Sequence, residues 1–154
     1  MAGFAKTLNP PYEGHFMPPV ITHYEGIDGT PCVALAMRGM AELLADGGGE
    51  QFVGLHHSYN GITATIGDTV VGVLIWYDQP TSHRIWLQLG YVLPPFRGQG
   101  VYDALWNALL DKARGLKRPR IDSAARLDNY VMRAVAKKQG RVEHAVLLKY
   151  QVEP

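Results

Sequence analysis

The chain has a single cysteine, Cys32, among its 154 residues. No internal disulfide can form, and a lone thiol fits a reducing compartment. No charged residue stands close to Cys32 in the sequence, so a small buried hydrophobe is the plain reading of that thiol. Charge of one sign is also lacking: 15 Lys and Arg offset 14 Asp and Glu, leaving +1 with histidine neutral. That balance is unlike a globally basic nucleic-acid binder and unlike a charged disordered segment. No apolar run approaches the roughly 20 residues of a membrane span, and Met1 to Pro11 lack the apolar stretch of a signal peptide. These absences predict a cytoplasmic protein with no membrane partner. No internal repeat and no second domain boundary is visible.

Apolar residues make up 47% of the chain, an ordinary share for a globular protein. A domain of this size buries roughly 68–70% of its unfolded surface, enough for a core without staples. Pro10, Pro11, Pro18 and Pro19 predict an extended N-terminal arm over residues 1–19, followed by one domain over residues 20–154. Val20 to Tyr24 reads as a strand. Pro31 suits the first turn of a helix, in which Val33, Ala36, Met37, Met40, Leu43 and Leu44 recur at helical spacing. Gly47-Gly48-Gly49 stops it. Ile62–Ile66 and Val70–Tyr77 flank the hairpin signal Gly67-Asp68. Arg84–Leu93 is a third β-rich run.

Val101 to Leu116 has helical periodicity, with Ala104, Leu105, Ala108, Leu109 and Lys112 on one face. Asp103, Asn107, Asp111 and Arg114 line another. Ile121 to Ala125 reads as a short strand, Asn129 to Gln139 as an amphipathic helix closed by Gly140, and Val142 to Val152 as a last, alternating strand. Strands interleaved with helices, with one strand-turn-helix crossover, predict a single α/β (α+β) sheet domain.

The chemistry concentrates in Val92-Leu93-Pro94-Pro95-Phe96-Arg97-Gly98-Gln99-Gly100-Val101. Here a strand gives way to a helix within a few residues. Glycines let the backbone turn sharply and admit a ligand with no Cβ in the way. The N–H groups that open a helix lack intrahelical partners, and the helix dipole adds roughly half a positive charge at that end. Such a turn suits a pyrophosphate, and Arg97 can add a charge-assisted contact.

With these neighbours the segment resembles the central motif of the GNAT superfamily of N-acetyltransferases. That motif runs as an apolar strand, a V-x-P-x-[YF] step, then R-G-x-G-[IV]-G opening a helix. Val92, Pro94, Phe96, Arg97, Gly98, Gly100 and Val101 fit it. A second family element, N-x-x-A-x-x-x-Y-x-K-x-G, is matched at Asn129, Lys138 and Gly140, and the resemblance covers roughly residues 62–150. It implies a mixed, mostly antiparallel sheet flanked by helices, with the fourth and fifth strands splayed into a slot. It implies acetyl-CoA (coenzyme A) as cofactor, its pantetheine arm on the main chain of Tyr91, Val92 and Leu93. Its pyrophosphate would meet the N–H groups of Gly98, Gln99, Gly100, Val101 and Tyr102, with Arg97 beside them and Asn129 on the other side of the arm. The implied reaction is direct attack of a primary amine, on a small molecule or a peptide, at the acyl carbonyl. The fold's exposed edge strand implies a homodimer as one arrangement.

The departures are specific. Tyr102 stands where the motif's last glycine falls, Met132 where its alanine falls, and Arg141 where an aromatic follows Gly140. Ala136 replaces the family's tyrosine acid. Tyr91 and Tyr150 are candidate replacements. Bases in this family sit on the fourth strand, where this chain has Trp86 and Gln88. Gln88 can hold a water but cannot act as a base, while His83, at the strand's start, carries a side chain of the kind that can. An exposed loop histidine is the plainer reading of His83. His56 and His57 lack a third ligand at zinc spacing, so no metal is expected. Lys112, Arg114, Lys117, Arg118 and Arg120 cluster at a helix end, where the dipole favours cations. Without interleaved aromatics they do not favour nucleic acid. The losses at Ala136 and Gln88 leave a second reading open, a binding or structural protein that kept the fold and lost the chemistry.

Overall fold

The computed structural model describes residues 17–47 and 54–146, with 148, 150 and 152. Residues 1–16 of the expected N-terminal arm, and Gly48 and Gly49 of the expected helix stop, lie outside the described residues. The elements run β1 (Val20–Tyr24), α1 (Pro31–Ala45), β2 (Asn60–Ile66), β3 (Thr69–Gln79), β4 (Arg84–Val92), α2 (Val101–Gly115), β5 (Arg120–Ser123) and α3 (Tyr130–Lys138). They build one five-stranded sheet in the order β1-β2-β3-β4-β5. The first four strands are antiparallel neighbours. β5 joins β4 in parallel, as the α2 crossover requires. The mixed, mostly antiparallel α/β sheet is the fold expected from the sequence.

The two faces of the sheet carry separate cores. On one, Ile62, Leu74, Trp76, Ile85 and Val92 pack under Val101, Leu105 and Leu109 of α2. On the other, Val73 and Ile75 pack under Cys32, Leu35 and Ala36 of α1. Helix α1 begins where Pro31 was expected to start it, with the Thr30 hydroxyl accepting the Cys32 N–H at 3.3 Å as an N-cap.

The buried line of α1 differs from the predicted one. Cys32, Leu35 and Ala36 are buried, while Met37 and Leu44 point to solvent at 55% and 59% exposure. Of the expected line Ala36 is buried, and Cys32 and Leu35 join it in place of the larger Met37 and Leu44. A Cβ on Gly39 would stand 2.9 Å from the Tyr91 ring, so that glycine lets helix and strand close up. On α2 the buried line is Val101, Leu105, Trp106, Leu109 and Ala113, spaced mainly by four residues, and Lys112 is only half-buried. The expected Asp103, Asn107, Asp111 and Arg114 face is exposed or nearly so.

The C-terminal segment also departs from expectation. The described residues after Gly140 form no strand, and Val142, Val146, Leu148, Tyr150 and Val152 are exposed. A strand needs a neighbour to satisfy its backbone. Among the described residues β5 offers only four residues, and its pairing is with β4.

Candidate functional site

β4 and β5 pair over Arg84–Leu87 and Arg120–Ser123 and no further. β5 ends at Ser123, while β4 continues to Val92. The last residues of β4 therefore have β3 on one side and, among the described residues, no strand on the other, and that edge borders a slot. The divergence begins at a bulge. Ile75 pairs Leu89 and Trp76 pairs Leu87, so Gln88 is the extra residue on β4. A bulge bends the strand and switches the face on which later side chains emerge. Ile85 and Leu87 belong to the α2-side core, whereas Leu89 and Tyr91 pack on the α1 side.

The glycine turn closes one end of this slot. A short three-ten turn, Pro94–Phe96, leads into Gly98 at φ 71° and Gly100 at φ 80°. Both glycines use the left-handed region that other residues avoid. A Cβ built on Gly98 would meet nothing within 4 Å. Gly100 caps α2 with no side-chain partner for the helix's first N–H groups. The first α2 bond in which its carbonyl takes part is from Ala104 N–H, at 3.0 Å. The N–H groups of Val101, Tyr102 and Asp103 thus open toward the turn with the helix dipole behind them. Val101 itself is buried, and Gly72 of β3 gives it room: a Cβ there would lie 3.0 Å from its Cγ1. Gln99 donates to the Pro95 carbonyl at 3.0 Å and braces the turn.

Arg97 faces two partners. Its Nε donates to the Val92 carbonyl at 2.9 Å, and its Nη2 to the Glu42 carboxylate of α1 at 2.8 Å. The guanidinium also lies 5.5 Å from the Tyr91 ring centroid. The hydrogen bond from Arg97 holds the Glu42 carboxyl below the usual carboxylate range. Burial, followed by the Glu42 carboxylate against its hydroxyl, pushes the Tyr91 phenol up. Gly39, Glu42, Tyr91 and Arg97 thus tie α1 to the end of β4 and to the turn. The Leu93 N–H donates to the Val71 carbonyl at 2.8 Å, so Leu93 faces β3. In an antiparallel ladder the next residue back faces the other way. Val92 therefore turns its N–H to the slot, its carbonyl being held by Arg97.

Tyr102 crosses toward β4. A Cβ on Gly90 would lie 2.7 Å from the Tyr102 Cε2 and 3.1 Å from its hydroxyl, so the absent side chain of Gly90 is what seats the ring. The Arg141 guanidinium lies beside that phenol, hydrogen-bonds the hydroxyl of Ser123 at the end of β5, and stacks 4.7 Å over the Trp106 ring. Burial raises the Tyr102 pKa, and Arg141 partly opposes the shift. The Arg141 Nη1 is buried with no hydrogen-bond partner among the described residues.

The other expected site residues stand as follows. The Gln88 side chain accepts from the Trp86 indole at 2.9 Å. His83 follows a three-ten turn in a left-handed conformation, φ 49°, exposed at the far end of β4. At about 3.3 Å per residue it lies roughly 30 Å along the strand from Val92. Asn129 caps α3, its Oδ1 accepting the Met132 N–H at 3.1 Å. Tyr150 is exposed. His56 bonds the Ser58 hydroxyl through Nδ1 at 2.6 Å, and its ring lies 4.2 Å from that of His57, tilted by 32°. No group of three His, Cys, Asp or Glu converges among the described residues. The basic cluster is largely spent on pairs. Arg118 grips Asp78 at 2.6 and 2.8 Å, Arg114 meets Asp111, and Arg120 meets the buried Asp122. A cavity of about 270 Å³ opens between His23, Asn60, Trp76, Lys112 and Leu116, at the opposite end of α2 from the glycine turn.

The sequence reading missed Gly39, Glu42, Gly90 and Arg141 as parts of this site. Isolated glycines inside a helical or strand pattern signal close approach, so Gly39 and Gly90 were legible in principle. Glu42 and Arg141 carry no local signal, because only the fold brings them to the turn and the slot.

A strand edge bared by a bulge, ending on a glycine-opened helix N-terminus, describes one class of fold. The chain belongs to the Acetyltransferase (GNAT) family, whose sequence profile matches residues 33–140. No curated protein matches it by sequence. Among solved structures it is similar to a ribosomal-protein-alanine N-acetyltransferase from Brucella melitensis biovar Abortus 2308, at 19% identity and TM-score 0.61, over 88% of this chain and 98% of that one. It is also similar to the aminoglycoside N-acetyltransferase AAC(6')-Iy in complex with CoA, at 21% identity and TM-score 0.60, over 88% and 100%. An aminoglycoside acetyltransferase from an uncultured soil metagenomic sample, in complex with trehalose, matches at 15% identity and TM-score 0.63, over 88% and 97%. Acetyl-CoA is the cofactor of this family, and the turn fits it. The face of Gly98 is open, Gly100 brings no side chain to cap the helix N–H groups, and among the described residues no strand pairs β4 beyond Leu87 on the β5 side.

Proposed function

We propose that the chain is an N-acyltransferase that moves an acetyl group from acetyl-CoA to a primary amine by direct attack. The observation that carries this reading is the continuity of the bared β4 edge with the uncapped start of α2. The N–H groups from Gly98 to Tyr102 would receive the pyrophosphate, and the Val92 N–H the pantetheine arm. Arg97 holds the turn in register through Val92 and Glu42 more than it contacts phosphate. Asn129 fixes the start of α3 beside the arm. Main-chain donors near the Gln88 bulge would polarise the acyl carbonyl.

In this reading Gln88 orients a water that carries away the amine proton. Tyr91 sets the position of the turn, and His83 takes no chemical step. Positioning supplies most of the rate, and the missing titratable base forgoes a factor of about 10²–10⁴. The acceptor is an amine on a small molecule or peptide. The α1 side of β3 and β4 below the bulge offers rings to it, with Tyr59 stacked on Tyr77 at 4.6 Å and Tyr77 paired across the strands with Trp86. No helix of the described residues is long and apolar enough to cross a membrane, and the lone buried thiol suits a cytoplasmic setting.

Calorimetric titration of acetyl-CoA and of free CoA tests the cofactor site. Binding is expected, and Gly98→Asn, which tolerates the left-handed backbone but fills the open face, should weaken it at least about tenfold. Absence of binding at millimolar ligand would remove the enzyme reading. A panel of amines scored by thiol release then separates turnover from the second reading, motivated by Ala136, in which the fold binds acetyl-CoA and transfers nothing.

A further inference from the structure

We infer that Tyr102 and Arg141 form a donor pair that holds the sulfur of coenzyme A as it becomes a thiolate. The inference rests on the acetyl-CoA reading and assigns a part of that site that the sequence left vacant at Ala136. The geometry comes from both walls of the slot. Tyr102 rises from the first turn of α2 and lies on the bare Cα of Gly90, beyond the point where β4 leaves β5. Arg141 follows α3 and bonds Ser123, the last residue of β5. The two side chains meet beside each other and so bridge the slot on its α2 side. The guanidinium carbon lies 4.7 Å from the Trp106 ring centroid, a cation–π contact that holds the group on α2. One of its nitrogens, Nη1, is buried and bonds nothing among the described residues, an unspent donor of a kind folded proteins rarely leave.

The chemistry of the pair differs from proton donation. A phenol titrates near 10 and a thiol near 8.5, and burial raises Tyr102 further. Tyr102 therefore keeps its proton and shares it in a hydrogen bond. When the amine nitrogen bonds the acyl carbon, the carbon–sulfur bond breaks and its electron pair stays on sulfur. The Tyr102 hydroxyl and the Arg141 guanidinium stabilise that charge, as preorganised donors do at other developing anions. The amine's surplus proton leaves to water, and the thiolate takes a proton from water on release.

The test needs no knowledge of the acceptor. Free CoA is titrated into the full chain at pH 8 in two buffers of different ionisation enthalpy, with acetyl-CoA as the control that has no thiol to ionise. A buffer-dependent enthalpy is expected for CoA and not for acetyl-CoA, because the pair lowers the bound thiol's pKa and a proton is released. Tyr102→Phe should reduce that release and Arg141→Met abolish it, while the far-ultraviolet circular dichroism and cooperative unfolding of both variants match the unaltered chain. Arg141→Lys should restore part of it. Release that persists in both Tyr102→Phe and Arg141→Met overturns the inference, and so does CoA binding without release in the unaltered chain. Failure of both ligands to bind at all overturns the acetyl-CoA reading itself, and the inference with it.

Discussion

Gly90→Ala should destabilise the protein while Tyr102 is present and cost less once Tyr102 is gone. The added methyl would lie 2.7 Å from the Tyr102 Cε2, 2.9 Å from the Leu74 Cδ2 and 3.1 Å from the Tyr102 hydroxyl. Leu74 is fully buried and cannot yield easily, so the ring must move. Forcing one methyl into such packing costs about 1–3 kcal/mol. Against that, replacing glycine on an extended strand restricts the unfolded chain and returns about 0.4–1 kcal/mol. Gly90 is not among the glycines at positive φ, so alanine fits its backbone. The clash wins, and the expected net loss is about 1–2 kcal/mol, a fall of roughly 2–8 °C in Tm for a chain of this size.

In a Tyr102→Ala background the ring clash is gone, while the Leu74 Cδ2 at 2.9 Å still resists the methyl. The same change should then cost less, about 0–1 kcal/mol, with the strand restriction offsetting part of the remaining clash. Urea unfolding of the four proteins closes a double-mutant cycle, with an expected coupling of about 0.5–2 kcal/mol. An equal penalty for Gly90→Ala in both backgrounds would refute the placement of Tyr102 on β4, and with it the bridge across the slot.

Other consequences follow from the ion pairs and the buried thiol. Asp78 is held below the usual carboxylate range by its hydrogen bonds from Arg118. Its contribution to stability is complete above the unfolded carboxylate pKa, near 4, and is lost as pH falls through the lower folded value. Asp78→Asn should lower stability at neutral pH and flatten the acid limb of a Tm-against-pH curve; an unchanged limb would count against that pair. Asp122, 6% exposed, is held by Arg84 at 2.5 Å and Arg120 at 2.9 Å. Arg84→Met leaves that buried carboxylate one main partner and should cost about 1–3 kcal/mol by denaturant unfolding. Cys32 is fully buried, and burial pushes its thiol pKa up. A thiol reagent should therefore label it at the rate of opening, accelerating with denaturant, and rapid labelling of the native protein would contradict its placement. Glu42→Gln removes the carboxylate that Arg97 grips and should weaken acetyl-CoA binding several-fold in a calorimetric titration, through the turn and not through lost phosphate contacts.

Local chemistry in the sequence determined much of this protein. Pro31 after Thr30 starts α1 because a missing N–H costs nothing at a helix's first turn. Gly98 and Gly100 mark the turn because only glycine takes positive φ there without strain. β-branched and aromatic residues concentrated in Val70–Tyr77 and Arg84–Val92 marked the central strands. The phosphate turn and the family were legible because their residues are contiguous.

Tertiary structure decided what contiguity cannot carry. The buried line of α1 runs through Cys32, Ala36 and Gly39, since close approach to Tyr91 selects small side chains and leaves Met37 and Leu44 in water. The bulge at Gln88 is a mismatch of register between two strands and does not exist in either alone. Arg97, legible as a phosphate ligand, is claimed by Glu42, 55 residues away. Val142 to Val152 had the pattern of a strand, but pattern supplies no partner, and strand pairing is a property of two segments. Tyr102, which in the motif only replaces a glycine, takes its place over β4 because Gly90 has no side chain and Arg141 arrives from beyond α3.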